Sequence, residues 1–380
     1  MAGRLLGTRR CLFPSNALLL NGVLLTRYSQ YTADLALPTN GVLRTKPTNA
    51  AFTLSGVLSG SGLVYIASGS LRLTGNSTKT GGWTVNGGTL ILNGGTYGAG
   101  ILRGTLTINA AANTIIDYSN GEATYASDVI TVNAGGQCRF VGGRTGYLLQ
   151  VNVNNDGVLP AIVTSDTSTS GFQCGNGVLG QNGGVLSTGT GNGLANNVTC
   201  KIKLINNGGG TFTFNVSTAP LVISGIIDDF AGLTGLVAQK TGTGTLTLTN
   251  ANTNIGGFNI TAGTVVVTGS NVGTFTVASG ATISAGNVTT ATVGNLTFSA
   301  LASRFAVNAI TTTSTSKLTC AVLTAAANMT IDVAGTMTAG VYPILQKTSG
   351  ASPIPTLGTN TTGRIVTFAW VANTLNMTLV

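Results

Sequence analysis

From about Ala51 onward, apolar residues come in short runs that alternate with polar ones, and each run ends in Gly, Asn or Ser. Thr89-Leu-Ile-Leu92, Thr105-Leu-Thr-Ile108, Thr245-Leu-Thr-Leu248 and Thr264-Val-Val-Val267 are typical. Period-2 alternation over such short runs, followed by a turn signal, predicts β-strands and almost no helix. The pattern also repeats. Gly69 to Leu92 and Gly244 to Val267 align without a gap at a constant offset of 175, with nine of 24 positions identical. The matches include Leu71/Leu246, Leu73/Leu248, Gly81/Gly256, Gly82/Gly257, Gly88/Gly263 and Thr89/Thr264. Trp83/Phe258, Val85/Ile260 and Leu90/Val265 keep their character, and Ser55-Gly-Val-Leu58 answers Ser224-Gly-Ile-Ile227. The copies therefore cover about 52–92 and 220–267. They are expected to be superimposable coils with Leu71, Leu73, Val85 and Leu90 turned inward.

These residues resemble the autotransporter-associated β-strand repeat. Its pattern runs roughly Leu-x-Lys-x-Gly-x-Gly-Thr-Leu-x-Leu, a polar turn, Thr-Tyr-x-Gly-Gly, then Gly-Thr-Leu. Leu236, Lys240, Gly242, Gly244, Thr245, Leu246 and Leu248 fit the first half; Thr253, Gly256, Gly257, Gly263 and Thr264 fit the second. Asn254 and Lys79 stand where the pattern has Tyr, a departure in both copies. The tail, with Gly340-Val-Tyr-Pro-Ile-Leu345 and a final alternating strand, looks like the last part of such a passenger region. The resemblance implies a parallel β-helix on the exterior side of a secretion system. The family's translocator barrel needs a further long run of ~10-residue amphipathic strands, which these 380 residues do not contain.

Composition agrees with the pattern. Only 7% of residues are charged, against ~25% in an average domain. The 55 glycines follow no three-residue period, which excludes collagen. A 43% apolar content with mean hydropathy +0.37 excludes disorder. A narrow coil interior accepts Val, Leu, Ile, Ala and Thr, while Gly and Asn supply the positive φ of its corners. The expected fold is all-β, a right-handed parallel β-helix or β-solenoid rod at roughly 20–25 residues per coil. It divides into an N-terminal anchor or capping segment over 1–50, the repeat-bearing helix over 51–300, and a β-rich C-terminal cap over 301–380. Within the last part, Leu301-Ala-Ser-Arg-Phe-Ala306 reads as a bulge and Ser352-Pro-Ile-Pro355 as a loop.

Candidate chemistry is sparse. Without histidine, Ser-His-Asp and Cys-His catalysis and most catalytic zinc sites are ruled out. Gly175-Asn-Gly-Val-Leu-Gly180 is a literal GxGxxG, but the following Gln181-Asn-Gly-Gly184 cannot open the helix a dinucleotide site needs, so these read as turn glycines. Asp228-Asp229 reads as an exposed turn. Asp117, Glu122 and Asp128 form the densest acidic stretch but lack basic company, and Lys201 and Lys203 alternate on one solvated strand face. The five cysteines form no CxxC pair and read as small core fillers. No catalytic, cofactor-binding or metal-binding residue is expected, and the chain reads as no enzyme. No run reaches the ~18 apolar residues of a membrane helix, and no basic stripe with interleaved aromatics marks a nucleic-acid surface.

Charge is concentrated at the start. Residues 1–46 hold six basic groups and one acid, together with the apolar run Ala17 to Leu25. A secretion signal would look similar, but Pro14, Asn16, Asn21 and Gly22 interrupt the run. Two readings stand. In one, Arg4, Arg9, Arg10, Leu18, Leu19, Leu20, Leu24, Leu25 and Arg27 anchor the chain to other structural subunits of a particle or filament. In the other, the segment caps the first coil, as every solenoid end requires. The function expected first is a non-enzymatic structural protein of a virus or phage virion, a fibre, spike or capsid decoration. The alternative is a secreted bacterial adhesin or extracellular filament subunit at a bacterial cell surface. A tailspike-like polysaccharide-binding or cleaving β-helix is the remote third. A homo-oligomer is expected, with a cell-surface glycan or receptor as a further partner.

Overall fold

The computed structural model describes residues 17–20, 23–26, 30–32, 34–45, 51–95, 101–125, 127–174, 184–191, 194–205, 211–229, 235–286, 290–308, 317–326 and 328–380. All regular structure in them is β-strand. The chain forms two compact units, Met1–Phe172 and Gln173–Val380, each a stack of coils with parallel sheets.

In the first unit, alternation along each strand turns into columns across strands. Leu43, Val64, Trp83, Leu106, Ile130 and Val151 pair in sequence down one sheet. Leu54, Leu73, Leu92, Ile116 and Phe140 do so down the other. All are buried. Parallel in-register stacking places like residues over one another at about 4.8 Å, so one apolar position per coil becomes a continuous core. Coil length is not constant: Leu54 to Leu73 and Leu73 to Leu92 are 19 residues, Leu92 to Ile116 and Ile116 to Phe140 are 24.

Coils begin earlier than the composition indicated. Gln30 pairs with Thr53, Leu35 with Leu58 and Val42 with Leu63, all parallel, so residues 30–45 already form a coil inside the segment set apart as 1–50. The leucine run ahead of it is a hairpin, Ala17–Leu20 with Val23–Thr26. Its first strand pairs antiparallel with Val42–Thr45.

The second unit repeats the arrangement with Leu221, Leu246, Val265, Ile283, Phe305 and Ile331 in one column. Phe212, Ala238, Phe258, Phe275, Leu296 and Leu323 form another. The rings of Phe258 and Phe275 stack at 5.0 Å between centroids. Of the expected bulge at 301–306, Leu301 and Ala302 form a turn, and from Arg304 the chain is a regular strand, Arg304–Asn308, paired on both sides. Phe305 and Val307 continue the inward alternation there, which outweighs the irregular-looking residues before them. Parallel coils continue through residues 301–360, where Met329–Ala334 pairs with Pro355–Asn360. The last strand reverses, Thr374–Leu379 lying antiparallel between Gly340–Gly350 and Val366–Val371.

Candidate functional site

The two sequence copies occupy the same place in their coils. Leu71 pairs with Leu90 as Leu246 pairs with Val265. Leu71, Leu73, Val85 and Leu90 are buried, as are Leu246, Leu248, Ile260 and Val265. The shared glycine has the same task in each. Gly88 (φ +71°) and Gly263 (φ +68°) hold a left-handed corner, where a Cβ would lie 2.1 Å from Gly69 O or 2.5 Å from Gly242 O.

Among the buried polar side chains are three lysines, and sequence reasoning missed what they do. Lys240 faces inward in the column between Phe214 and Ile260. Its ammonium donates to the carbonyls of Thr241 (2.8 Å), Gly242 (2.7 Å) and Ala262 (3.1 Å). Lys79 donates to Gly82 O (2.7 Å) and to Gly81 O, and lies 4.7 Å from the centre of the Trp83 ring. Asn254, its counterpart in the second copy, turns its amide to Gly257 O (3.5 Å). Lys347 donates to Gly350 O (2.6 Å), Ala351 O and Ser352 Oγ (2.8 Å), beneath Trp370. At each turn several carbonyls converge without enough N–H donors, and one ammonium satisfies them together. Burial pushes the amines of Lys79 and Lys240 down to about 8. With their protons committed to main-chain oxygens, these groups are turn fasteners.

A second polar feature runs along the first unit. Asn154 donates to Asn133 (3.1 Å), Asn133 to Asn109 (2.7 Å), Asn109 to Asn86, and Asn86 to the Tyr65 hydroxyl (2.5 Å). The signal for this ladder was present in Thr84-Val-Asn86, Thr107-Ile-Asn109, Thr131-Val-Asn133 and Asn152-Val-Asn154. Its period is that of the coil.

The acidic candidates are dispersed into structural bonds. Asp117 Oδ1 accepts from the N–H (2.9 Å) and hydroxyl (2.5 Å) of Ser119. Burial holds the Glu122 carboxyl above its usual range, with Arg144 opposing. Asp228 and Asp229 end the strand Ile227–Asp229 and are half-buried, correcting the exposed turn. Asp228 pairs with Lys201 at 2.8 Å and accepts from Thr253 Oγ1 at 2.7 Å. Burial pulls its carboxyl upward, but those two bonds and the Lys201 and Lys203 charges hold it below the usual range. The parallel pairing that sets Lys203 beside Asp228 explains why Lys201 and Lys203 are not a free solvated face. Among the described residues, no group of three or more Cys, Asp and Glu is placed to hold a metal ion. Cys138 and Cys320 are buried free thiols. The GxGxxG segment 175–180 and the anchor candidates Arg4, Arg9, Arg10 and Arg27 lie outside the described residues. The anchor leucines Leu18, Leu19, Leu20, Leu24 and Leu25 fall in the two hairpin strands.

Asp128 is the one fully buried carboxyl of the set. It accepts from the N–H groups of Gly104 (2.8 Å) and Tyr125 (2.6 Å). Burial pushes it up to about 7, against the pull of those bonds and of Arg103. Its unfolded value is 3.8, so between the two the folded chain binds more protons and stability falls as pH rises through that window. Urea unfolding of Asp128→Asn across the same window should show a flatter pH slope than the parent; an unchanged slope would assign the effect elsewhere.

Comparison with known proteins falls on the two copies. The family model of the passenger-associated-transport-repeat matches residues 68–92 and 239–267. The chain carries two such repeats. Each spans the strands that fill the inward columns and the Gly88 or Gly263 corner, and the second includes Lys240. No curated protein and no solved structure matches the chain.

Proposed function

We propose that this chain is a passenger-like β-solenoid displayed outside a bacterial cell, where it serves as a non-enzymatic structural or adhesive surface. The observation that carries the reading is the pair of passenger-associated-transport-repeats seated in identical register within parallel coils. The repeats support an extracellular or cell-surface location, and they favour the bacterial adhesin or filament subunit over a virion fibre. Stacked coils suit such a role: in each unit the described parallel strands hydrogen-bond to neighbouring coils, so proteases find little extended chain to grip. Outward positions supply an almost uncharged surface of Thr, Asn and Ser on which a cell-surface glycan or receptor would be met by hydroxyl and amide groups.

Antibodies raised against the folded chain test the location on cells that make the protein. Labelling of intact cells, removed by external protease, is expected. Labelling that appears only after permeabilisation would overturn the reading.

A further inference from the structure

The asparagine ladder of the first unit keeps unspent hydrogen-bonding capacity. Asn109 donates to Asn86 and accepts from Asn133 at 2.7 Å, and Asn133 accepts in turn from Asn154 at 3.1 Å. A primary amide offers two N–H donors and two lone pairs. Asn109 and Asn133 each spend one of either kind on the ladder, so each retains a donor and an acceptor. Asn86 is exposed, and Asn109, Asn133 and Asn154 are half-buried, so water reaches every rung. Two residues before the first three rungs stand Thr84, Thr107 and Thr131, which pair in register across the coils and are half-buried on the outward face. The Thr131 hydroxyl accepts from Asn152 at 3.0 Å.

The chemistry of this face selects a ligand. No Lys, Arg, Asp or Glu occurs in residues 83–87, 105–111, 129–136 or 150–155, so a charged polymer finds no opposite charge to steer or hold it. Gly87, Ala110 and Ala134 follow the first three rungs and add no bulk beside the amides. What recurs is one free donor and one free acceptor per coil, at a rise of about 4.8 Å. An extended peptide returns the same face only every second residue, about 6.8 Å, and would drift out of step. An extended chain of six-membered sugars carries hydroxyls at every unit, with a step close to the coil rise. A hydroxyl both donates and accepts, which matches the pair each rung offers.

We propose that this face of the first unit binds a neutral, extended polysaccharide laid along the ladder, with successive sugars on successive coils. Their hydroxyls exchange hydrogen bonds with the free amide groups of Asn109 and Asn133 and with the hydroxyls of Thr84 and Thr107. Binding is non-covalent and no bond of the glycan is broken. Such a site rests on the surface role proposed above and gives it a partner class, the uncharged glycans of a cell surface.

Isothermal titration calorimetry of the purified full chain with cellohexaose, mannohexaose, xylohexaose and maltohexaose tests it. At least one hexaose should bind, about tenfold or more tighter than its own disaccharide, because the longer chain meets more rungs. Hexagalacturonate, an acidic counterpart, should not bind. Thr84→Val combined with Thr107→Val keeps the β-branched shape, removes two hydroxyls and should weaken binding about tenfold. Asn109→Ala combined with Asn133→Ala should abolish binding. Melting like the parent's shows that the asparagine variant is folded, and the threonine pair decides where it is not. Thr89→Val, outward on the other sheet, should bind as the parent does. No binding by any of the four hexaoses, an affinity independent of chain length, or threonine variants that bind like the parent would each overturn the site. These titrations use purified protein, so glycan binding and the labelling of intact cells can fail separately.

Discussion

Leu246→Asp is expected to destabilise the second unit by roughly 4 kcal/mol or more, combining the lost leucine packing with an unpaired buried carboxylate. Leu246 is fully buried between Leu221 and Val265 in an unbroken apolar column. No basic side chain occupies that column, so the carboxylate must either protonate or break the stack. Thermal melting with urea unfolding reads the effect. The neighbour Thr247 faces outward on the same strand, and Thr247→Asp should stay within about 0.5 kcal/mol of the parent. If Leu246→Asp melts with the parent, the inward assignment is wrong.

Lys240→Met should cost about 2–3 kcal/mol although it replaces a buried cation by an apolar chain of similar length. Intuition runs the other way, since a charge between Phe214 and Ile260 is expensive to desolvate. The deciding term is what the ammonium leaves behind. Thr241, Gly242 and Ala262 direct carbonyls at it, and methionine offers them no donor. Lys240→Arg should not rescue, because a planar guanidinium cannot fill a site shaped for three bonds radiating from one nitrogen. The outward neighbour Gln239→Met on the same strand is the control and should be near neutral. A Lys240→Met protein as stable as the parent would show that those carbonyls find other donors.

How far the fold was legible depended on whether its signal lay along the chain. Period-2 runs and turn glycines announced strands and corners, and the repeat at offset 175 identified two equivalent coils whose inward residues the structure buries as expected. Features that depend on the shape of a turn or on a neighbouring coil were harder to see. Lys79 counted only as a departure from a repeat pattern. The carbonyls it serves come from a turn whose shape no single residue reveals. Asp228-Asp229 looked like a loop because two adjacent acids are rare in strands. Its partners Lys201 and Thr253 lie 27 and 25 residues away and arrive only by stacking. The Leu-rich, Arg-rich start looked foreign to the rod by composition, yet residues 30–45 are already a coil, since pairing partners rather than average charge decide where a solenoid begins.

By itself, then, the sequence determined the β class, the inward residues and the corner glycines, because strand alternation and left-handed φ are local properties of a few consecutive residues. Tertiary structure alone decided which coil meets which, at 19 residues here and 24 there. It also decided where three buried ammonium groups find their acceptors. Coil pairing depends on hydrogen bonds between segments about a coil apart, at a spacing set by turn lengths that vary from coil to coil, while the ammonium acceptors are turn carbonyls close in sequence, joined at Lys240 by Ala262 of the next coil.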